Sequence, residues 1–208
     1  LAKPVYHPGF IKKVKKVLEI VCHNCSKVRF NRIWNICKKK TRCENEVKEQ
    51  KPDDGEYGLN MKQAPVNHGG CGNIQPRVRH KALQLIAKYE AQGEDGVKKK
   101  EEPPITPEMA HNILRRISDD DLRDMGLNLE YARPEWMIVT VLPVPPPPVR
   151  PSISMDGTGQ GLRNEDDLTY KLGDIIRANS NVKQAIREGS PAHIAQDFEQ
   201  LLQYHVAT

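Results

Sequence analysis

Apolar positions along the chain fall into short helical stripes separated by polar or proline-rich stretches. Phe10, Ile11, Val14, Val17, Leu18 and Val21 recur at helical spacing with lysines on the other face, which predicts an amphipathic helix leading to Cys22. Residues 44–70 are polar, with Pro52, Gly55, Gly58 and Pro65, and read as a loop. Helical spacing returns over 78–91 through Leu83, Ile86 and Ala87, and residues 92–104 form a charged linker with no apolar face. Thr106 is placed to cap a helix with Pro107 in its first position, running to about Ile117. Ser118 then caps a second short helix whose first turn, Asp119, Asp120 and Asp121, suits the positive end of the helix dipole. Gly126 ends it.

Residues 136–141 are rich in β-branched side chains and predict a buried strand. Pro143, Pro145, Pro146, Pro147, Pro148 and Pro151 stop that strand and impose an extended, polyproline-like path, and Gly157, Gly159 and Gly161 mark a turn. Two helical stripes follow. Leu168, Leu172, Ile175, Ile176, Val182 and Ile186 make one; Ala192, Ile194, Ala195, Phe198, Leu201, Leu202, His205 and Val206 make the other. Only Gly189-Ser190-Pro191 lies between them, with Ser190 as candidate cap, so the two helices are expected to pair as an antiparallel hairpin. Each stripe needs the other, because isolated helices of this length are marginal in water. The fold class expected is α+β, mainly helical with few strands, with no internal repeat.

Composition adds a charge asymmetry. The net charge of the 208 residues is only +5, yet residues 1–43 hold twelve Lys or Arg against a single acid, Glu19. A field of that kind suits a polyanionic neighbour, or a solvated face beside the acidic stretch that follows. The chain opens without Met, and 198–208 keep helical spacing with no Gly or Pro stop, the pattern expected of an internal piece of a longer protein. No apolar run is long enough to span a membrane and no secretory signal precedes the five cysteines, so thiols or metal ligation are favoured over disulfides.

The cysteines carry the chemistry. Cys22-His23-Asn24-Cys25 can grip one Zn²⁺ through a tight turn, and two further ligands must come from elsewhere. Cys37, Cys43 and Cys71 are the candidates, with His23 and His68 as outsiders. Cys71 lies among glycines that let the backbone wrap a thiolate, and Cys43 follows a basic run that favours ionised sulfur. Cys22, Cys25, Cys43 and Cys71 are therefore chosen as metal ligands, leaving Cys37 on an apolar-patterned turn with Ile33, Trp34 and Ile36. A redox reading of Cys22 and Cys25 lacks the surrounding β-α-β pattern. Four protein ligands leave no open position, so the zinc is expected to be structural.

No residue earns a catalytic role. Gly157-Thr158-Gly159-Gln160-Gly161 lacks the lysine of a phosphate loop. Asp166 and Asp167, which resemble a Mg²⁺ pair, are explained by a place in the first turn of a helix. His7, His80, His111, His193 and His205 have no matching nucleophile.

Three stretches together carry a resemblance: residues 68–76 (HGGCGNIQP), residues 131–136 (YARPEW) on through 149–151, and residues 166–172 (DDLTYKL). With Leu1-Ala2-Lys3-Pro4-Val5 and residues 201–208, they resemble the largest subunit of eukaryotic RNA polymerase II, in a form similar to fungal members. The resemblance implies a clamp head with a zinc site over 1–142, the first ten residues or so belonging to the clamp core. A connector follows over 143–164, and the clamp helices, a coiled-coil hairpin, over 165–208. It places the zinc ligands on Cys22, Cys25, Cys43 and Cys71. It further implies a nuclear location and, as partners, other polymerase subunits, DNA, the DNA–RNA hybrid, and initiation and elongation factors. Nucleotidyl transfer would belong to the full subunit, whose Mg²⁺-binding aspartates lie outside this chain. The family's connection between the second and third zinc cysteines is longer than the one here. From a different class, a free-standing zinc-binding adaptor for protein partners would share the cysteine pattern, whereas a zinc hydrolase would need an open coordination position.

Overall fold

The computed structural model describes residues 1–28, 43, 70–92, 98–159 and 161–208. These group into two compact units, one made of Lys12–Trp136 and the other of Leu1–Ile11 with Met137–Thr208. The mixed helix and small-sheet content matches the expected α+β class. Among the described residues, no helix is long and apolar enough to cross a membrane.

The Lys12–Trp136 unit contains nearly all of helix α1 (Ile11–Ile20), whose Val14 and Leu18 are fully buried while Lys12, Lys13 and Lys16 face water. Helical spacing over 78–91 proves misleading. The segment is a hairpin of β2 (Arg77–Lys81) and β3 (Gln84–Gln92), paired antiparallel with Val78 opposite Ala87 and Arg79 opposite Ile86. Val78, Leu85 and Ala87 are buried on one face, a period of two that a window spanning the turn at Ala82 and Leu83 blurs into a helical one. The charged linker likewise contributes β4 (Lys98–Glu101), which pairs with β3, and β5 (Pro104–Ile105), which pairs with Leu85 and Ile86.

Capping signals fare better. The Thr106 hydroxyl accepts from the Met109 N–H at 3.2 Å at the start of α2 (Pro107–Arg115), and Ser118 accepts from Asp121 N–H at 3.2 Å at the start of α3 (Asp119–Asp124). Gly126 closes α3 with a φ of 74°, where an L side chain would be strained. The strand expected at 136–141 is shorter than its composition suggested. Pro134–Met137 form a 3-10 turn, and only Ile138–Val139 (β6) pair as a strand. Trp136 is 57% exposed and Val141 79% exposed.

The other unit is built on a helical hairpin. α4 (Asp167–Glu188) ends where Gly189 takes a left-handed conformation, φ 64°. The Ser190 N–H donates to the Ala185 carbonyl at 3.0 Å and the Gly189 N–H to Ile186 at 3.4 Å, satisfying carbonyls that would otherwise be orphaned. The chain then turns into α5 (Ala192–Ala207), whose N-cap is Pro191 rather than the expected Ser190. The buried seam of α4 is Ile175, Ala178, Val182 and Ala185; Ile176, expected to face inward, is 65% exposed. Small alanines allow close approach of the partner helix, which a count of large apolar residues overlooks. Ile175, Ala178, Val182 and Leu202 form the core with Val5, flanked by Leu1, Ala2, Val139, Leu142, Phe198 and Val206.

The proline-rich segment is not wholly extended. Pro147–Val149 make a 3-10 turn, and Arg150 ties it down by donating to the Pro145 carbonyl at 2.9 Å and the Thr169 hydroxyl at 3.4 Å. β7 (Ile153–Ser154) and β8 (Arg163–Asn164) form a small hairpin beyond it.

The start of the chain is pinned to the helices by β1 (Val5–Tyr6), which pairs with β6. The buried Gln203 side chain accepts from the Tyr6 N–H at 2.6 Å and donates to the Tyr6 carbonyl at 2.8 Å, completing both backbone groups as a neighbouring strand would. The Ala2 N–H donates to Asn179 at 2.6 Å. Burial pushes the Tyr6 phenol well above its ordinary pKa and keeps it neutral. Gln203→Leu should leave two buried backbone groups unpaired and lower stability by about 1–3 kcal/mol, read by thermal or denaturant unfolding; an unchanged midpoint would contradict the assigned role.

Candidate metal centre

The first half of the site is a turn that the C-terminal end of α1 feeds directly. Val21 bridges Val28, the Cys22 N–H donates to the Lys27 carbonyl at 2.9 Å, and the Ser26 N–H donates to the Cys22 carbonyl at 2.9 Å. Ser26 takes a positive φ of 59°, which reverses the chain tightly enough to bring Cys22 and Cys25 to one side. Within this loop the Cys22 sulfur accepts from the N–H groups of Asn24 at 3.4 Å and Cys25 at 3.5 Å.

The second half comes from far along the chain. Gly72 has a φ of 75°, and its N–H donates to the Cys43 carbonyl at 2.6 Å. The Cys43 N–H donates to the Asn73 carbonyl at 3.0 Å, so Cys43 is clasped on both sides by the Cys71–Asn73 turn. A Cβ at Gly72 would meet nothing within 4 Å; the glycine is there for its backbone conformation.

The four sulfurs of Cys22, Cys25, Cys43 and Cys71 lie within 4.8 Å of one another, with Cys22–Cys71 at 3.6 Å and Cys25–Cys43 at 3.8 Å. A tetrahedral tetrathiolate with Zn–S bonds of about 2.3 Å has S···S edges of ~3.8 Å, so these spacings fit a zinc ion. Cys22 and Cys43 are buried, and among the described residues this is the one cluster of metal-ligating side chains. None of the four is in a disulfide. Four cysteines so arranged could hold a metal such as zinc, with no coordination position open to substrate.

Gln75 is a residue the sequence reading missed. Its buried side chain donates to the Cys22 sulfur at 3.2 Å and to the Asn73 carbonyl at 3.1 Å, and accepts from the His23 N–H at 2.9 Å. One amide thereby stitches the two turns together and orients Cys22. Asn73 and Asn24 play a similar part at Cys71, donating to its sulfur at 3.2 and 3.7 Å. The only available signal was their place within four residues of a cysteine. His23, an outsider from sequence, instead has its ring against the Leu18 carbonyl at 2.9 Å. Cys37, His68 and the basic residues Arg29, Arg32, Lys38, Lys39, Lys40 and Arg42 lie outside the described residues.

The metal-free thiols differ in acidity. Desolvation raises Cys43 to about 12 and also raises Cys22, whereas the Asn73 N–H and neighbouring amides lower Cys71 to about 6. Cys71 is thus poised as the entry thiolate, and Cys22 and Cys43 must surrender protons as the metal enters. The aspartates that resemble a Mg²⁺ pair, and the run Asp119–Asp121, all stand at helix starts. Asp119 and Asp120 pair with Arg133 at 3.2 Å and Arg123 at 2.8 Å, and Asp166 and Asp167 sit at the start of α4.

Residues 1–208, the whole chain, match the model of RNA polymerase Rpb1, domain 1, and the chain belongs to that family. It is therefore part of the largest subunit of a DNA-directed RNA polymerase, a nucleotidyltransferase, whose other subunits and DNA are its partners.

Two outcomes follow from the geometry. Zinc affinity should climb with pH, and between pH 7 and 8 uptake should release at least two protons per ion, seen with an indicator dye in weak buffer. Release below one would contradict the assigned acidities. Gln75→Leu should weaken zinc binding by about 10–100-fold in competition with a chelator, because it strips the hydrogen bond that orients Cys22.

Proposed function

We propose, taking membership of the polymerase largest-subunit family as the premise, that this chain is the clamp region of eukaryotic RNA polymerase II, acting in the nucleus. By role, residues 1–142 are the clamp head with its zinc site, the first ten or so coming from the clamp core. Residues 143–164 are the connector, and 165–208 are the clamp helices. This is a division of labour and cuts across the packing units, since the first residues pack with the terminal hairpin.

Cys22, Cys25, Cys43 and Cys71 would hold one structural Zn²⁺, which supplies rigidity and no chemistry of the reaction. The observation that carries this reading is the convergence of those four sulfurs within 4.8 Å, in a chain that matches a polymerase subunit along its full length. Zinc ligation at an apparent ~10–16 kcal/mol outweighs what so polar a segment can gain by burying apolar surface. The head becomes a stiff end on a mobile clamp that helps retain DNA and the DNA–RNA hybrid. Lysines of α1 add salt-sensitive attraction to nucleic acid. The α4–α5 hairpin presents Arg177, Lys183 and Arg187 on a firm support for initiation and elongation factors. Catalytic groups and their Mg²⁺ would lie elsewhere in the full-length subunit, and no residue here takes part in phosphoryl transfer. The free-standing adaptor draws no support from a match of this extent.

Metal analysis of serine variants tests the site: one zinc per chain, lost on replacing Cys22, Cys25, Cys43 or Cys71 and kept with Cys37→Ser. Zinc surviving the loss of Cys43 would overturn the ligand set. The clamp role is tested in assembled polymerase carrying Cys71→Ser. Transcription complexes should release DNA several-fold sooner while nucleotide addition within surviving complexes keeps its rate, and an unchanged lifetime after zinc loss would refute the mechanical role.

A further inference from the structure

The β2–β3 hairpin has one dry face and one cationic face. Directly opposed residues of an antiparallel pair share a face. Val78 with Ala87 therefore marks the inner side, and both are buried. The opposite side is set by the pairs Arg77 with Lys88, Arg79 with Ile86, and Lys81 with Gln84. Arg77, Arg79 and Lys81 are exposed there, and Lys88 is half-buried beside Glu102, 3.5 Å away. From Gly70 to Tyr89 the sequence contains no Asp or Glu. Four cations thus share the outward face of a ribbon whose register is fixed by a tight turn, with Ala82 at a φ of 50°.

This geometry selects a partner. Alternate residues on a strand are ~6.8 Å apart, so Arg77, Arg79 and Lys81 form a straight row of charges with a regular repeat. A regular row of positive charge suits a partner that is itself a regular line of negative charge, and duplex DNA carries one per ~1.7 Å of helix axis over its two strands. Surfaces for single strands rely on aromatic platforms for the bases. The outward face offers none, since Tyr89 lies by alternation on the side of Ala87. The ribbon is paired by backbone hydrogen bonds before any ligand arrives, so its backbone needs no ordering on binding.

We propose that the outward face of the β2–β3 ribbon, formed by Arg77, Arg79, Lys81 and Lys88, binds the sugar–phosphate backbone of duplex DNA without regard to sequence. The proposal rests on the polymerase clamp reading and gives it a specific contact surface. Lys88 holds Glu102 in the absence of DNA, so the exposed Arg79 and Lys81 carry most of the attraction.

The test uses assembled polymerase bearing Arg79→Gln with Lys81→Gln, zinc content serving as the check on folding. Dissociation constants for a duplex template are measured across a salt series. Loss of two phosphate contacts should reduce the slope of log K against log salt by about 1.8. Arg79→Lys, which keeps the charge, should leave the slope as it was. A photo-crosslinker at position 79 should label DNA. An unchanged slope in the double variant, or label found on an acidic protein subunit instead, would overturn the proposal. If the double variant behaves as the parent while Cys71→Ser still shortens complex lifetime, the clamp role stands and only this surface is rejected.

Discussion

The meeting of four thiols from three distant stretches of chain is the constraint on which the Lys12–Trp136 unit turns. Cys22 and Cys25 arrive at the end of α1, Cys43 stands apart, and Cys71 sits in a glycine-rich turn. Their backbones are tied before any metal is considered: Gly72 and Asn73 clasp Cys43, and the Gln75 amide joins the two turns. Separate donors, the Asn73 N–H and the side-chain amides of Asn73 and Asn24, leave Cys71 acidic, while burial raises Cys22 and Cys43. A cation with strong thiolate affinity resolves that tension, because it stabilises the very charges that desolvation penalises.

The second unit meets its structural demands by different means. It gathers two helices with an alanine-bearing seam and closes the edge of a two-residue strand with a glutamine side chain. Neither device involves a metal or a long sheet. The contrast suits a protein in which one part acts as a stiff head and another as a helical arm, the roles proposed for it as a polymerase clamp. In both units the polar backbone is completed by side-chain amides, Gln75 in one and Gln203 in the other, where regular pairing runs out.

Much of the helical content was legible because its signals are local. Thr106 and Ser118 cap the helices they were expected to cap, and Gly189 ends α4 in the left-handed conformation that glycine favours. The hairpin at 77–92 was not legible. Leu83, Ile86 and Ala87 satisfy a helical template, whereas the strand is fixed by which residues face a core that only the folded chain defines. The same holds within α4, where Ile176 lies in water and Ala178 is buried although hydrophobicity alone favours the reverse.

At the site, residue type and spacing carried much of the chemistry: a C-x-x-C turn, two further cysteines in suitable settings, and a family resemblance borne by residues 68–76 and 131–136. Those are properties of residue type and spacing, readable without coordinates. It took the folded chain to show that Cys43 and Cys71 reach Cys22 and Cys25, that His23 turns to the Leu18 carbonyl, and that Gln75 holds the two turns together. The fold also gathered Arg77, Arg79, Lys81 and Lys88 on one face. The physical reason is common to all of these. Each depends on contacts between segments far apart in the chain, and local propensity carries no information about which distant partner will fill a given side.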